Sequence, residues 1–317
     1  MKPFSIVLFA ALVTFPVSAQ IAPNFKGDFQ SEQRFSAGQS PVAIAAGDVN
    51  GDGRQDLVVA DYNGSTVNVL LGNGDGTFGS PTVYATGDYP YSVALADLTG
   101  NGHLDIVCAN LNLNHLTQGG TVSVLLGNGD GTFAPAVNYV AGKDLSSVVL
   151  ADFNGDGKID IATTDVSSSY VGVLLNNGNG TFQNAVQHPA GPNPFSLAAA
   201  DFNGDGKLDL AVTNGCDVSQ DNFNCAPRQN TVSVLLGRGD GTFASPVSYQ
   251  AGNFPYTLIA RDVNSTASQT CSLATSSPIS YRSCQACWAT VMGLFRPPAP
   301  MLLGEVHSAR AISAALG

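Results

Sequence analysis

The chain has 317 residues, a formal net charge of −11, 44% hydrophobic and only 12% charged side chains. This acidic balance, with no basic patch, excludes the electrostatic footprint of a nucleic-acid binder, and the apolar content excludes an intrinsically disordered chain. Glutamate occurs only at Glu32 and Glu305 against twenty-two aspartates, a bias that points to turns and cation loops instead of a merely solvated acidic surface.

The first segment is of export type. Lys2 supplies a positive start, Ile6 to Phe15 an apolar stretch, and Val17-Ser18-Ala19 a small-residue cleavage pattern before Gln20. Residues 1–19 are therefore expected to be a signal peptide. No later apolar run is long enough to span a bilayer. The mature protein is expected to be secreted, or periplasmic or on the cell surface if its source is bacterial.

From Asp48 onward one unit recurs. Its loop reads DVNGDGRQDL from Asp48, DLTGNGHLDI from Asp97, DFNGDGKIDI from Asp152 and DFNGDGKLDL from Asp201, and a fifth copy starts at Asp262 and breaks off after Asn264. A short apolar run precedes each loop, and a second follows it: LVVAD from Leu57, IVCAN from Ile106, IATTD from Ile161, LAVTN from Leu210. A third run leads into a glycine-rich segment, as in VNVLLGNGDGTF from Val67 and its copies from Val122, Val171 and Val232, and a fourth follows, such as PTVYATG from Pro81. These runs are short, β-branched and bounded by Gly, Asn, Asp or Pro, which is the strand signature. No window shows sustained helical spacing. Each unit of about 50 residues is thus expected to be a four-stranded antiparallel meander, the size of a propeller blade. Extra length sits around Leu113 to Gly120 and Cys216 to Asn230. Both insertions fall between the second and third strands, so they are expected to share one edge of the array.

The loops carry their own chemistry. Alternating oxygen side chains with glycine at the sixth place (Gly53, Gly102, Gly157, Gly206) let carboxylates and amides converge on a hard cation while the chain turns sharply. Three carboxylates held close together repel unless a cation sits among them. An EF-hand is the near lookalike, but Val59, Thr163 and Val212 stand where its twelfth-position glutamate would be, and strands flank the loop. Asx-turns that need no metal are the alternative.

Among the cysteines, Cys216 and Cys225 bracket a polar insertion, and export makes a local disulfide between them the expectation. Cys108 lies in an apolar run and is expected to be a buried thiol. After Asn264 the pattern stops, and residues 265–317 read as an aberrant, poorly ordered tail. Codons for Trp288 to Phe295, read from each third base, can spell Gly-Asn-Gly-Asp-Gly-Thr-Phe, and those for Thr266 to Cys271 can spell Gly-Lys-Pro-Asp-Leu. Both are missing pieces of a fifth repeat, so the tail is expected to be an out-of-frame translation, testable by resequencing at Asn264.

The Asp loops together with the GNGDGTF segments resemble the FG-GAP repeat proteins, relatives of the integrin α-chain propeller, over roughly Phe35 to Asn264. The resemblance implies an all-β fold: a β-propeller with four to five blades in this chain, as part of an incomplete seven-bladed ring over residues 20–264. It also implies calcium, held by side chains at loop positions one, three, five and nine and by the carbonyl at seven. That assigns Asp48, Asn50, Asp52, Arg54 and Asp56; Asp152, Asn154, Asp156, Lys158 and Asp160; and Asp201, Asn203, Asp205, Lys207 and Asp209. The copy with Asp97, Thr99, Asn101, His103 and Asp105 has lost a charge and is expected to be weaker or empty. Affinity is expected near the extracellular range of about 10⁻⁴–10⁻³ M, with a structural role for the ion.

Catalysis has no visible constellation. Gly74, Gly76 and Gly79 match G-x-G-x-x-G, but a strand instead of a helix follows, so the segment reads as a hairpin turn. Phe78, Phe133, Phe182 and Phe243 are expected to plug the core between blades. Four histidines are scattered singly, and there is no G-x-S-x-G or H-E-x-x-H motif. The expectation is a non-catalytic calcium-binding module for extracellular protein or glycan recognition and adhesion, contacting its partner through the insertions. The alternatives are the scaffold of a polysaccharide-active lyase or hydrolase, or an inactive truncated product.

Overall fold

The computed structural model describes residues 33–112, 119–215, 230–251, 255–261, 270–275 and 286–288, which form strands and turns without a helix. The signal segment, most of both insertions with Cys216 and Cys225, the fifth loop at Asp262 and most of the segment after Asn264 lie outside the described residues.

Four sheets of four antiparallel strands follow one another along the chain. The first comprises β1 (Pro41–Gly47), β2 (Asp56–Asp61), β3 (Thr66–Leu70) and β4 (Thr82–Ala85). The second is β5 (Pro90–Ala96), β6 (Asp105–Asn110), β7 (Thr121–Leu125) and β8 (Val137–Val140). The third is β9 (Leu145–Ala151), β10 (Asp160–Asp165), β11 (Tyr170–Leu174) and β12 (Val186–Pro189). The fourth is β13 (Pro194–Ala200), β14 (Asp209–Asn214), β15 (Thr231–Leu235) and β16 (Val247–Gln250). A three-stranded sheet follows, from β17 (Pro255–Arg261), β18 (Thr270–Thr275) and β19 (Ala286–Trp288). Its last two strands fall after Asn264, where the repeat signature is absent from the sequence.

Strand order follows chain order within every sheet, and the first strands of successive sheets touch one another: β1 with β5, β5 with β9, β9 with β13, β13 with β17. These are propeller blades, with each first strand innermost. Burial follows from that placement. The second strands, such as β6 and β10, are buried throughout, while β4, β8 and β16 are mostly exposed. Apolar clusters fill the joints between blades: Val58, Val67 and Val69 of the first pack with Ile106, Leu125 and Phe133 of the second, and the pattern repeats around the arc. Cys108 is fully buried in the first joint, and burial pushes its thiol pKa up, so it is an inert core residue.

The glycine-segment phenylalanines plug these joints. Phe133 meets Tyr84 edge-on at 5.5 Å, and Phe182 meets Tyr139 at 5.6 Å. Phe78 has a partner too, Phe35 at 5.3 Å, so the stretch before β1 acts as the outer strand of a preceding blade would. At the two ends of the arc the apolar pattern is left open. Ile44 is 38% exposed where its counterparts Val93, Val148 and Leu197 are 9%, 9% and 5% exposed, and Ile259 on β17 is 54% exposed.

One joint departs from the aromatic rule. His188 holds the place of Tyr84, Tyr139 and Tyr249, each paired with the valine at the second position of its neighbouring strand. Its ring stands edge-on to Phe243 at 5.3 Å, and its buried Nε2 has no hydrogen-bond partner among the described residues. Burial, then the charge of Arg238, lowers its pKa from 6.5, with Asp240 acting in the opposite sense. The unfolded chain gains a proton near pH 6.5 that the folded chain refuses until lower pH. The His188 contribution is therefore complete above that value and lost as pH falls below it. His188→Tyr is expected to add about 1 kcal/mol of stability and to flatten the decline below about pH 6.5. Urea denaturation across that range checks it; an unaltered pH profile would exonerate His188.

Candidate functional site

Each Asp loop joins the end of an innermost strand to the start of the next strand, so all four lie on one rim of the arc. The loop is organised by its first aspartate. Asp48 accepts N–H bonds from Gly51 (2.7 Å), Asp52 (3.2 Å) and Gly53 (2.7 Å), and Asp152 and Asp201 repeat this with Gly155, Asp156, Gly157 and with Gly204, Asp205, Gly206. Such a turn needs a left-handed residue, and Gly53 supplies it at φ 79°. The third and fifth residues stay close: Asn50 donates to Asp52 at 2.8 Å, and Asn203 to Asp205 at 3.2 Å. The seventh residue folds back as a counter-ion, Arg54 on Asp52 at 2.5 Å and Lys158 on Asp156 at 3.2 Å. In the divergent copy, burial raises the Asp97 pKa, but N–H bonds from Gly102, Asn101, Gly100 and Thr99 outweigh it and the net shift is downward.

The ninth aspartate faces inward. Asp56, Asp105, Asp160 and Asp209 are fully buried. One oxygen accepts the N–H of the second loop residue, and the other accepts an N–H from the glycine segment of the same blade. For Asp160 these donors are Phe153 (3.0 Å) and Asn176 (2.8 Å); for Asp56 they are Val49 (2.9 Å) and Gly72 (2.7 Å). Asp105 and Asp209 make the same pair of bonds. Burial raises the pKa of Asp105, Asp160 and Asp209 against these N–H bonds; for Asp160 the charges of Asp156 and Asp152 add to the rise. Among the described residues, no three His, Cys, Asp or Glu side chains converge as a ready metal cage.

The second loop residue, unremarked in the sequence reading, is a joint. Val49, Leu98, Phe153 and Phe202 are buried in successive inter-blade clusters. The carbonyls of the first three are gripped by the following blade: Val49 by Gly131 N–H at 3.1 Å, Leu98 by the Asn176 amide at 2.8 Å, Phe153 by Gly241 N–H at 3.1 Å. The Asp loop therefore couples blades as well as turning the chain.

The opposite rim carries the connections between blades and those between second and third strands, because Pro90 pairs with Asn110 and Pro194 with Asn214 there. Both insertions leave from this rim. Acidic residues here serve as clamps. Asp61 accepts Gln39 and Ser40 N–H at 2.9 and 2.7 Å, and Asp165 accepts Lys143 and Asp144 N–H at 2.8 and 3.1 Å. An aromatic cluster also gathers here. Tyr62 lies 5.1 Å from Tyr89 and 6.1 Å from Tyr91, Tyr91 lies 5.9 Å from Phe195, and Phe195 lies 4.8 Å from Tyr256. Sequence reading missed it, although an aromatic after proline recurs in PYSV, PFSL and PYTL.

A family model described as FG-GAP-like repeat matches residues 48–108, 115–163 and 152–212. No curated protein matches the chain. Among solved structures, the chain is similar to a functionally unknown protein from Desulfotomaculum acetoxidans, with 15% identity and a TM-score of 0.51 over 75% of this chain and 63% of that one. A lectin from Agrocybe aegerita, which specifically recognises non-reducing terminal N-acetylglucosamine, has 25% identity and a TM-score of 0.48 over 73% and 59%. The V. cholerae biofilm matrix protein Bap1 has 21% identity and a TM-score of 0.37 over 70% and 41%. The chain thus spans less than two thirds of each of these proteins.

Proposed function

The chain belongs to the FG-GAP-like repeat family, and on that premise we propose that it is an exported, calcium-binding propeller module that recognises extracellular protein or glycan without catalysing a reaction. The observation that carries this reading is the division of labour between the two rims. One rim is spent on Asp loops whose turns, joints and carboxylates serve blade-to-blade cohesion. The other holds the connections, where loop length varies without cost to the blades, as binding surfaces do on rigid scaffolds.

The donor set of the loops suits calcium. Asp48, Asn50 and Asp52, with their counterparts Asp152, Asn154, Asp156 and Asp201, Asn203, Asp205, offer only hard oxygen donors and excess negative charge. Asp160 feels the charges of Asp152 and Asp156, a repulsion that a bound divalent ion removes. The ion would supply charge neutralisation and rigidity to a rim that already joins neighbouring blades.

The test uses the labelled mature chain against a panel of extracellular polysaccharides and matrix proteins. Binding is expected for the intact chain and is expected to fall when residues 113–120 or 216–230 are shortened to the length found in the other repeats. Full retention of binding by both shortened chains would refute recognition through this rim.

A further inference from the structure

Tyr91, Phe195 and Tyr256 hold one place in three blades. Each is the second residue of its innermost strand, and each is the residue skipped by a register shift, between Pro90 and Ser92, Pro194 and Ser196, and Pro255 and Thr257. A bulge of this kind re-aims a side chain and is a recurrent device beside functional sites. In the third blade the skipped residue is Ser146, buried and small. Its hydroxyl donates to the Phe195 carbonyl at 2.8 Å, and that of Thr164 does so at 3.3 Å. Across this small residue Tyr91 of the second blade reaches Phe195 of the fourth, edge-on at 83°. The contact therefore spans two joints, along the axis of the arc.

Tyr89 adds a second, independent mark. It stands at φ 57°, a left-handed conformation that is costly for a bulky side chain and concentrates at functional positions. The corresponding residue of the fourth blade is Asn193, also left-handed at φ 49°, the residue type that tolerates this region. The chain has thus kept a strained tyrosine where asparagine would serve the turn, and that tyrosine packs on Tyr62 in the cluster.

We propose that the mouth formed by Tyr62, Tyr89, Tyr91, Phe195 and Tyr256 is a carbohydrate site that receives the ring of a neutral sugar. The proposal rests on the recognition reading above and names its ligand class. A pyranose has apolar C–H faces that stack on aromatic rings and a belt of hydroxyls that need partners, and four phenols around one phenyl supply both. Burial, then neighbouring tyrosines, raises the pKa of Tyr62 and Tyr91, so these hydroxyls keep their protons and can donate. The five side chains carry no charge, so none supplies the counter-charge that would favour a phosphate or carboxylate over a neutral ring. Tyr256 is 43% exposed, which leaves the mouth open to solvent.

Isothermal titration of the full mature chain with chitotriose, cellotriose, mannotriose and lactose tests the site. At least one is expected to bind with a millimolar or tighter Kd. Tyr91→Ser and Phe195→Ser, which install the residue that the third blade already tolerates at Ser146, are expected to weaken it about tenfold or more. Tyr170→Ser, at an exposed tyrosine on β11 outside the cluster, is expected to leave it unchanged. Tyr89→Asn is expected to raise Tm by about 2–4 °C through relief of strain while weakening the sugar. Absence of binding by all four oligosaccharides, or unchanged binding by both serine variants, would overturn the proposal. If the serine variants still capture panel material that the shortened loops do not, the mouth fails and the recognition module stands. If the intact chain captures nothing, both fall.

Discussion

Asp160→Ala is expected to remove about 4 kcal/mol of stability, a large share of what a single domain possesses. The reason is the number of buried donors that one carboxylate satisfies. Its two oxygens take the N–H groups of Phe153 and Asn176 at 3.0 and 2.8 Å, one from the Asp loop and one from the glycine segment. Alanine leaves both N–H groups buried without an acceptor, each worth about 1–3 kcal/mol, and takes the charge-assisted bonds with them. The loss is expected in the presence of chelator as well as calcium, because it rests on backbone donors. Asp156→Asn separates the two roles. Asp156 bonds only within its loop, to the Lys158 N–H at 3.0 Å and the Lys158 ammonium at 3.2 Å, so the change is expected to cost less than about 1 kcal/mol in chelator. It is expected to abolish any rise in Tm that calcium gives through this loop. Urea denaturation of both variants with calcium and with chelator reads all four values. A calcium-dependent loss for Asp160→Ala and none in chelator would mean that this aspartate is a ligand and not a backbone clamp.

That contrast marks where sequence reading reaches and where it stops. The blades were legible because strand length, β-branched content and the Gly-Asn-Asp punctuation are local, as in LVVAD before the turn at Tyr62. The Asp loops were legible for the same reason: Asp48 and Gly53 are five residues apart, and the turn they build is closed by their own bonds. The partner of Asp160 is Asn176, across a hairpin, and no spacing rule announces it; the ninth aspartate therefore read as a ligand alone. Leu98 carries no signal in the sequence, yet its carbonyl is held by Asn176 of the next blade. The aromatic mouth needed two facts that spacing does not hold, the bulge that skips Tyr91 and the curvature that brings it to Phe195. Superposing the repeats in register would have exposed the aromatic after proline, though not the small Ser146 that lets two of them meet.

Phe182→Ala is expected to cost about 3–5 kcal/mol, and to cost it at one joint. Phe182 is 7% exposed and lies in the cluster that joins the second and third blades, with Val107, Val122, Val124, Ile161 and Leu174. Tyr139 from the second blade stands edge-on to it at 5.6 Å and 77°. Its backbone is tied to the glycine segment, opposite Asn176, so the ring cannot be replaced by a shift of the strand. Truncation removes a large apolar side chain and leaves a void between two sheets whose outer strands are otherwise joined by the Gln187 amide on the Ala141 carbonyl at 2.6 Å. Phe182→Leu keeps most of the volume and is expected to cost about 1–1.5 kcal/mol. A double-mutant cycle with Tyr139→Ala is expected to show a coupling of about 0.5–1.5 kcal/mol, the worth of the ring pair itself. Because repeats hold one another mainly through nearest-neighbour contacts, with Tyr91 on Phe195 the contact that spans two joints, weakening one joint should also divide the unfolding transition, with the first two blades and the following blades separating at different urea concentrations and with lower m-values than the whole. A single transition with unchanged m and a loss below about 1.5 kcal/mol would show that the joint is held by the Asp loop carbonyl of Leu98 and the inner strands, and that the aromatic plug only fills space.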